Sequence, residues 1–335
     1  MKICILGDFS KGNLDEGNKN IAFNLSKYLS KKHDVLRINT KHIFSPFLWK
    51  KIKNFNPNIV HYLTAPTLFS LVILKLIKMY YGKHIKTVAS SLHPYSLKLM
   101  KNPILRRFIN FLKPDLILTQ THESNEFFSK INCETEFLPN GVDTKRFKPV
   151  SSKIKEELRK KYEIPKEKFV ILHVGHIKKV RGLEIFIKIQ KMIRDIQVII
   201  VSSSYFKKDR KIYQKLKESG CIIWDQYFEN IEEIYQMSDC YLFPVKKGNS
   251  IFIPLSILEA MSCNLPVIST KFEGLNMIFK QGDGLFFAES EEEFYDALRK
   301  ISRDMNVKTR EKVLPYSWEN IIKKLEEIYY KISEQ

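Results

Sequence analysis

"FVILHVGHIKKVRGLEIFIKIQKMI", Phe169 to Ile193, contains the unit from which the whole chain is built. Phe169–Val174 is a short run of apolar residues interrupted by one histidine, the pattern of a strand covered on both faces. Gly175 closes the run. A basic turn follows, and a helix begins near Gly182. The same alternation continues C-terminally through "IQVIIVSSS", the helix "KIYQKLKESG", "CIIWDQY", "IEEIYQMS", "CYLFPV", a helix around Glu259 and "LPVIST". It also runs N-terminally, from "KICILG" and a helix with Ile21, Ala22, Leu25, Tyr28 and Leu29 at helical spacing, through "HDVLRIN", "PNIVHYL", Leu68–Tyr81, "IKTVASS" and "PDLILTQ". Short apolar strands separated by helices imply an α/β protein with parallel, doubly wound sheets.

The pattern breaks at "FLPNGVDTKRFKPVSSKIKEELRKKYEIPKEK", a charged stretch with prolines at 139, 149 and 165, which reads as a linker and a surface helix. Two Rossmann-like modules are therefore expected, over residues 1–148 and 149–315, with ligands at the carboxyl ends of the strands and in a cleft between facing modules. A last helix is expected within 316–335. Trp318, Ile321, Ile322, Leu325 and Ile328 share one of its faces, so it should dock.

Composition narrows the function classes. The 335 residues carry 56 Lys+Arg against 37 Asp+Glu, a net charge of +19. Residues 1–148 hold 24 basic and 10 acidic side chains. Two accounts fit this field: attraction to a polyanion or an anionic membrane, or a lysine-rich composition that solvates the surface. The five cysteines form no CxxC pair, as expected of reduced thiols in a cytoplasmic protein. "MKICILGDFS" reads as a first strand and not as a signal peptide. "LFSLVILKLIKMYYG" is too short and too charged to span a bilayer. There is no phosphate loop, no GxGxxG, no Asp-x-Asp and no zinc-spaced Cys/His set. No nucleic-acid signature accompanies the charge, so nucleic acid is not expected as a partner.

Several stretches suit phosphate and sugar. "GDFSKGNLDEGNKN" has glycines at 7, 12 and 17 ahead of a helix, which lets backbone amides approach an anion. His176, Lys178, Lys179 and Arg181 stand at a strand's carboxyl edge before a helix, a site for a diphosphate or else a solvated basic loop. In "STKFEGLNMI", Gly274 opens another short helix. Glu259 is the lone carboxylate in "IPLSILEAMSCNLPVIST", with Pro254 at the start of its helix and Asn264 at the end. A buried acid needs donors. These come either from a structural protein group or from the vicinal hydroxyls of a ligand such as a ribose.

These segments together resemble the family 4 retaining glycosyltransferases of GT-B fold. "LPNGVDTKRFKP", "LHVGHIKKVRGLE" and "SILEAMSCNLPVIST" are similar to the family's motifs and fall in the same order, and "IEEIYQMSDCYLFPV" and "SWENIIKKLEEIY" also fit. The resemblance implies transfer from a nucleoside diphosphate-sugar to a glycan, lipid-linked or small-molecule acceptor, with no metal or other cofactor. It also implies a last helix that crosses back to the first domain. Glu259 would hold the donor ribose, and Arg181, replacing the family's lysine, would face the diphosphate. His176 stands where arginine is usual. Lys178, Lys179 and the amides of Gly274, Leu275 and Asn276 would assist.

Gly17 and Asn18 occupy the place of a Gly-Gly pair, and Tyr227 lies where the base is met. His93 resembles the histidine facing the transferred sugar, with packing on Pro94 as the plain alternative. Ile251, eight residues before Glu259, replaces a glutamate that often touches the sugar. Glu273 is a weak substitute for it. The departures at Ile251 and His176 keep open a non-catalytic module of the same fold, distinguished by whether donor is turned over. The expected location is the cytoplasm, with the basic first half, including Arg106, Arg107 and Lys113, either resting on anionic lipid at the inner membrane face or holding an acidic acceptor.

Overall fold

The computed structural model describes residues 1–14, 16–82, 84–93, 103–203, 208–246, 250–302 and 305–334; the side chains of 103–106 lie outside that description. Two compact units emerge. The first comprises Met1–Gly141, Ile251–Ile253 and Trp318–Gln335, and the second Val142–Ser250 and Pro254–Ser317. Each contains a six-stranded sheet in which every pairing is parallel.

In the first unit, β1 (Lys2–Gly7), β2 (Asp34–Asn39), β3 (Ile59–Thr64), β4 (Lys86–Ser91), β5 (Leu116–Thr119) and β6 (Thr135–Phe137) lie in the order β2-β1-β3-β4-β5-β6. The connecting helices are α1 (Gly17–Leu29), α2 (Pro46–Phe55), α3 (Leu68–Tyr81), α4 (Pro103–Leu112) and α5 (His122–Ser129). Apolar spacing sets the inner face of α1, where Ile21, Ala22, Leu25, Tyr28 and Leu29 are all buried. Capping boxes start α3 and α5: Thr67 Oγ1 accepts from Ser70 N (3.2 Å), and Thr121 Oγ1 from Ser124 N (3.0 Å).

The chain's last helix returns to this unit, as its apolar face requires. All five residues of that face are buried. Trp318 stacks on Tyr28, with ring centroids 6.4 Å apart. Lys32 and His33 each reach Glu326 at 3.0 Å. His61 Nδ1 lies 2.7 Å from Tyr329 Oη, and its Nε2 lies 2.7 Å from Ser90 Oγ. This histidine is fully buried, and burial lowers its pKa to about 3, so it packs as the neutral imidazole.

In the second unit, β7 (Phe169–Val174), β8 (Ile196–Val201), β9 (Ile222–Trp224), β10 (Cys240–Phe243), β11 (Val267–Ser269) and β12 (Leu285–Phe287) take the order β12-β11-β10-β7-β8-β9. The helices that position the site are α6 (Ser152–Lys161), α7 (Glu184–Met192), α8 (Arg210–Glu218), α9 (Ile231–Gln236), α10 (Leu255–Ser262) and α11 (Glu273–Ile278). Beyond them come α12 (Glu291–Lys300) and α13 (Thr309–Val313), and α14 (Trp318–Glu334) is the helix docked on the first unit. Ile171, Leu183, Phe186, Ile200, Leu242 and Ile268 knit strands and helices into one core. The charged stretch after Val142 is ordered by α6. Arg159 donates to the carbonyls of Met237 (3.0 Å) and Lys166 (3.0 Å), and pairs with Asp239. All five cysteines are buried free thiols. No helix among the described residues is long and apolar enough to cross a membrane.

Candidate functional site

In the second sheet the winding reverses between β7 and β10. The chain steps from β7 to β8 and β9 on one side, then returns to place β10, β11 and β12 on the other. Loops leaving β7 and β10 therefore diverge, and a crevice opens at their carboxyl ends. The basic turn follows β7, α10 follows β10, and α11 follows β11, so these three segments lie side by side.

Glu259 sits on α10, a helix whose N-cap is Pro254. Asn264, just beyond its C-terminal end, takes the left-handed conformation (φ 58°). The neighbours Ile257, Leu258, Ala260 and Met261 are buried in the core, while Glu259 keeps part of its surface exposed. Its Oε2 accepts from Tyr235 Oη at 2.8 Å. Oε1 accepts no hydrogen bond from the described residues. Burial raises the carboxyl pKa above the ordinary value; Tyr235's hydrogen bond and the charge of Arg146 oppose this, and Glu232 reinforces it. Arg146 is itself held by Glu232, with Nε donating to Oε2 at 2.8 Å. The acid is thus half satisfied by protein and has one oxygen left to accept.

The turn after β7 is fixed from below. Tyr241, on β10, donates to the carbonyl of Val174 (3.3 Å). Its hydroxyl lies in the field of both the Glu259 carboxylate and the Arg181 guanidinium. His173 Nδ1–H donates to the Leu242 carbonyl (3.0 Å). Burial lowers the pKa of His173 to about 3, and the charges of Arg181 and His176 push the same way. A short 3-10 turn, Lys179–Arg181, ends at Gly182 with φ +68°. A Cβ there would overlap the carbonyl oxygen of Pro244, so this position needs glycine for both conformation and space. Arg181, His176 and Lys178 are half-buried along the turn, and Lys179 is exposed.

The ring series His173, Phe243 and Phe272, with centroids 5.6 and 5.8 Å apart, links the β7 turn to the start of α11. There Phe272 is the N-cap and supplies no side-chain acceptor to the first-turn amides. Gly274 and Leu275 are buried in this six-residue helix, while Asn276 and Glu273 are exposed. Tyr227 follows the edge strand β9, separated from β7 by β8, and is exposed.

Three of the sequence-derived residues belong to the first unit. Gly17 opens α1, whose N-cap Glu16 makes no side-chain cap bond. Asn18 Oδ1 is buried and accepts nothing from the described residues. His93 is half-buried two residues after β4; Pro94, its alternative packing partner, lies outside the described residues. These positions occupy the carboxyl edge of the first sheet.

Ile251 is buried in the first unit, and its Cδ1 lies 3.7 Å from where a Cβ on Gly17 would sit. The adjoining Phe252 N donates to Leu92 O (3.0 Å), and Asn140 Nδ2 donates to Ile253 O (2.7 Å). Ile251, expected from the resemblance to replace an acid, therefore anchors a chain segment. Sequence reading also missed Tyr235, Tyr241 and Arg146, which hold or face Glu259. Their only sequence signal is a tyrosine or arginine within an otherwise ordinary element.

Both sheets, their order and the returning helix define a GT-B fold. Sucrose-phosphate synthase from Thermosynechococcus elongatus superposes with a TM-score of 0.81 at 14% identity, covering 99% of this chain and 98% of that one. Anabaena HepE, solved in complex with UDP-glucose, gives 0.75 at 16% identity over 99% and 100%. Residues 154–318 match the glycosyl transferases group 1 family, so the chain carries a glycosyltransferase domain of that family. N-acetyl-alpha-D-glucosaminyl L-malate synthase of Bacillus anthracis is 23% identical over 277 residues, which are 77% of this chain and 71% of that protein.

Proposed function

We propose that the protein is a retaining glycosyltransferase that moves a hexosyl group from a nucleoside diphosphate-sugar to an acceptor hydroxyl. The observation that carries this reading is Glu259: a largely buried carboxylate with one oxygen fixed by Tyr235 and the other accepting from no described residue, beside a basic turn. Vicinal ribose hydroxyls are donors only a few ångströms apart, and a carboxylate oxygen is the acceptor they match. The similarity to a protein solved with UDP-glucose supports the same class of donor.

The chemistry follows from charge. As the glycosidic bond breaks, negative charge grows on the leaving diphosphate, and groups already aimed at it lower the barrier. Arg181, His176, Lys178 and Lys179, with the amides of Gly274, Leu275 and Asn276, serve that role here, so the proposal requires no metal. Retention fits attack by the acceptor on the face the diphosphate leaves; His93 would face the transferred sugar, and Gly17 and Asn18 would help bind the donor. No pair of carboxylates at glycosidase spacing is invoked. The basic first half favours an anionic acceptor, or one held at the inner face of an anionic membrane by a protein in the cytoplasm.

The test is thermal stabilisation across UDP-, GDP- and ADP-sugars, followed by turnover of the stabilising donor and determination of the product's anomeric configuration by NMR. One donor should raise the melting point by mass action, and the product should keep the donor's configuration. Stabilisation without turnover would leave a binding module; inversion would overturn the proposed mechanism.

A further inference from the structure

Between Asp34 and Asp115 the sequence contains fourteen lysines and arginines and no acidic residue. The structure lays part of this stretch over one continuous face of the first unit. Helix α3 buries Leu71, Leu74 and Ile77, as a surface helix should, but it carries a second apolar stripe on the solvent side, with Phe69, Leu76, Met79 and Tyr80 exposed. A helix apolar all round is normally covered on every side. Its neighbours extend the stripe. Phe44 packs edge-on against Phe69 (5.7 Å), Tyr80 against Trp49 of α2 (6.3 Å), and Lys75 lies 4.8 Å above Phe111 of α4. Phe44, Phe47, Phe108 and Phe111 remain 58–76% exposed.

At the amino-terminal end of this sheet, beside α3 and α4, is a cavity of about 500 Å³ lined by Lys75, Lys78, Lys86, Lys113 and Phe111, among others. Its four lysines face two carboxylates. Asp115 is paired with Lys78, and Glu134 lies at the rim with Asn132, whose carbonyl accepts from Lys113 (3.0 Å).

We propose that this face docks the protein on an anionic lipid bilayer, with the exposed rings and methionine entering the headgroup boundary and the lysine-lined cavity taking a lipid phosphate. Charge decides the occupant. An extended surface of exposed apolar rings, with cations in excess over the two carboxylates Asp115 and Glu134, matches an interface that is negative outside and apolar beneath. A second copy of the chain would present the same cations and repel it. The inference deepens the reading of an acceptor at an anionic surface and rests on that reading only for the acceptor.

The experiment is sedimentation of the full chain with vesicles of phosphatidylcholine alone or mixed with phosphatidylglycerol, at low and high salt. The variants are Phe44→Ser/Phe47→Ser, Phe108→Ser/Phe111→Ser and Lys75→Glu/Lys113→Glu. Binding should require phosphatidylglycerol and fall at least tenfold in high salt. It should fall at least tenfold in each variant, with circular dichroism and donor-induced thermal stabilisation unchanged. Failure to sediment, equal binding to phosphatidylcholine, undiminished binding by the variants, or self-association through this face in light scattering would each overturn the proposal. Donor stabilisation is read separately, so the docking face and the donor site fail independently.

Discussion

Replacing Glu259 by glutamine separates a ligand-binding carboxylate from a structural one. The carboxamide oxygen can still accept from Tyr235, so the buried hydroxyl keeps its partner and the fold should lose little. The amide nitrogen then faces the ribose hydroxyls, where an acceptor is needed. Two hydrogen bonds to a charged group are each worth about 1.5–3 kcal/mol. Losing both weakens donor binding by about 3–6 kcal/mol, or roughly 10²- to 10⁴-fold.

Alanine is the poorer probe, because it also strands the Tyr235 hydroxyl at a cost of about 1–3 kcal/mol. The assay is calorimetric titration of wild type and Glu259→Gln with the nucleoside diphosphate and with its 2′- and 3′-deoxy forms. Deoxygenation should weaken binding to wild type and change little in the variant, as a double-mutant cycle requires of groups in contact. An undiminished deoxy penalty in Glu259→Gln would refute the reasoning, because the ribose would then be held elsewhere. The raised carboxyl pKa adds a direction: as pH falls, Glu259 protonates earlier than an ordinary glutamate, and donor affinity should fall with it.

Arg181→Ala should lower kcat by about 10²- to 10³-fold with a much smaller effect on nucleoside affinity, because its charge matters most as the diphosphate leaves; single-turnover kinetics separate the two. Gly182→Ala should destabilise by about 2–4 kcal/mol in urea unfolding, from a left-handed backbone and the overlap with Pro244. Buried His61 and His173 have folded pKa values near 3, so between the unfolded value of 6.5 and 3 the unfolded chain binds protons that the native protein does not. Stability should therefore be fully present above 6.5 and fall with acid, by about 1.4 kcal/mol per pH unit for each histidine. Urea midpoints for His61→Gln should show one histidine's share of that slope removed.

The sequence made the alternation of strand and helix legible because each central strand is buried on both faces and must be apolar throughout. It also exposed the docking face of α14 and the odd position of Glu259. Edge strands β6 and β12, three residues each, escaped notice. The partnership of Tyr235 with Glu259 spans 24 positions, and Tyr235 lies in a short helix where a tyrosine reads as core. Ile251 looked like a missing acid. The attachment of its segment, residues 251–253, to Gly17, Leu92 and Asn140 depends on chain segments more than a hundred residues away, which no local pattern encodes. The outer stripe of α3 was not legible, because sequence cannot say which side of an apolar helix is left uncovered.

A crystal structure of the protein with a nucleoside diphosphate-sugar tests the central claim most directly. The account predicts the ribose hydroxyls at hydrogen-bond distance from Glu259, with Oε2 still bonded to Tyr235 and the diphosphate against Arg181. A ribose bound away from α10, with Glu259 turned wholly onto protein donors, would contradict it.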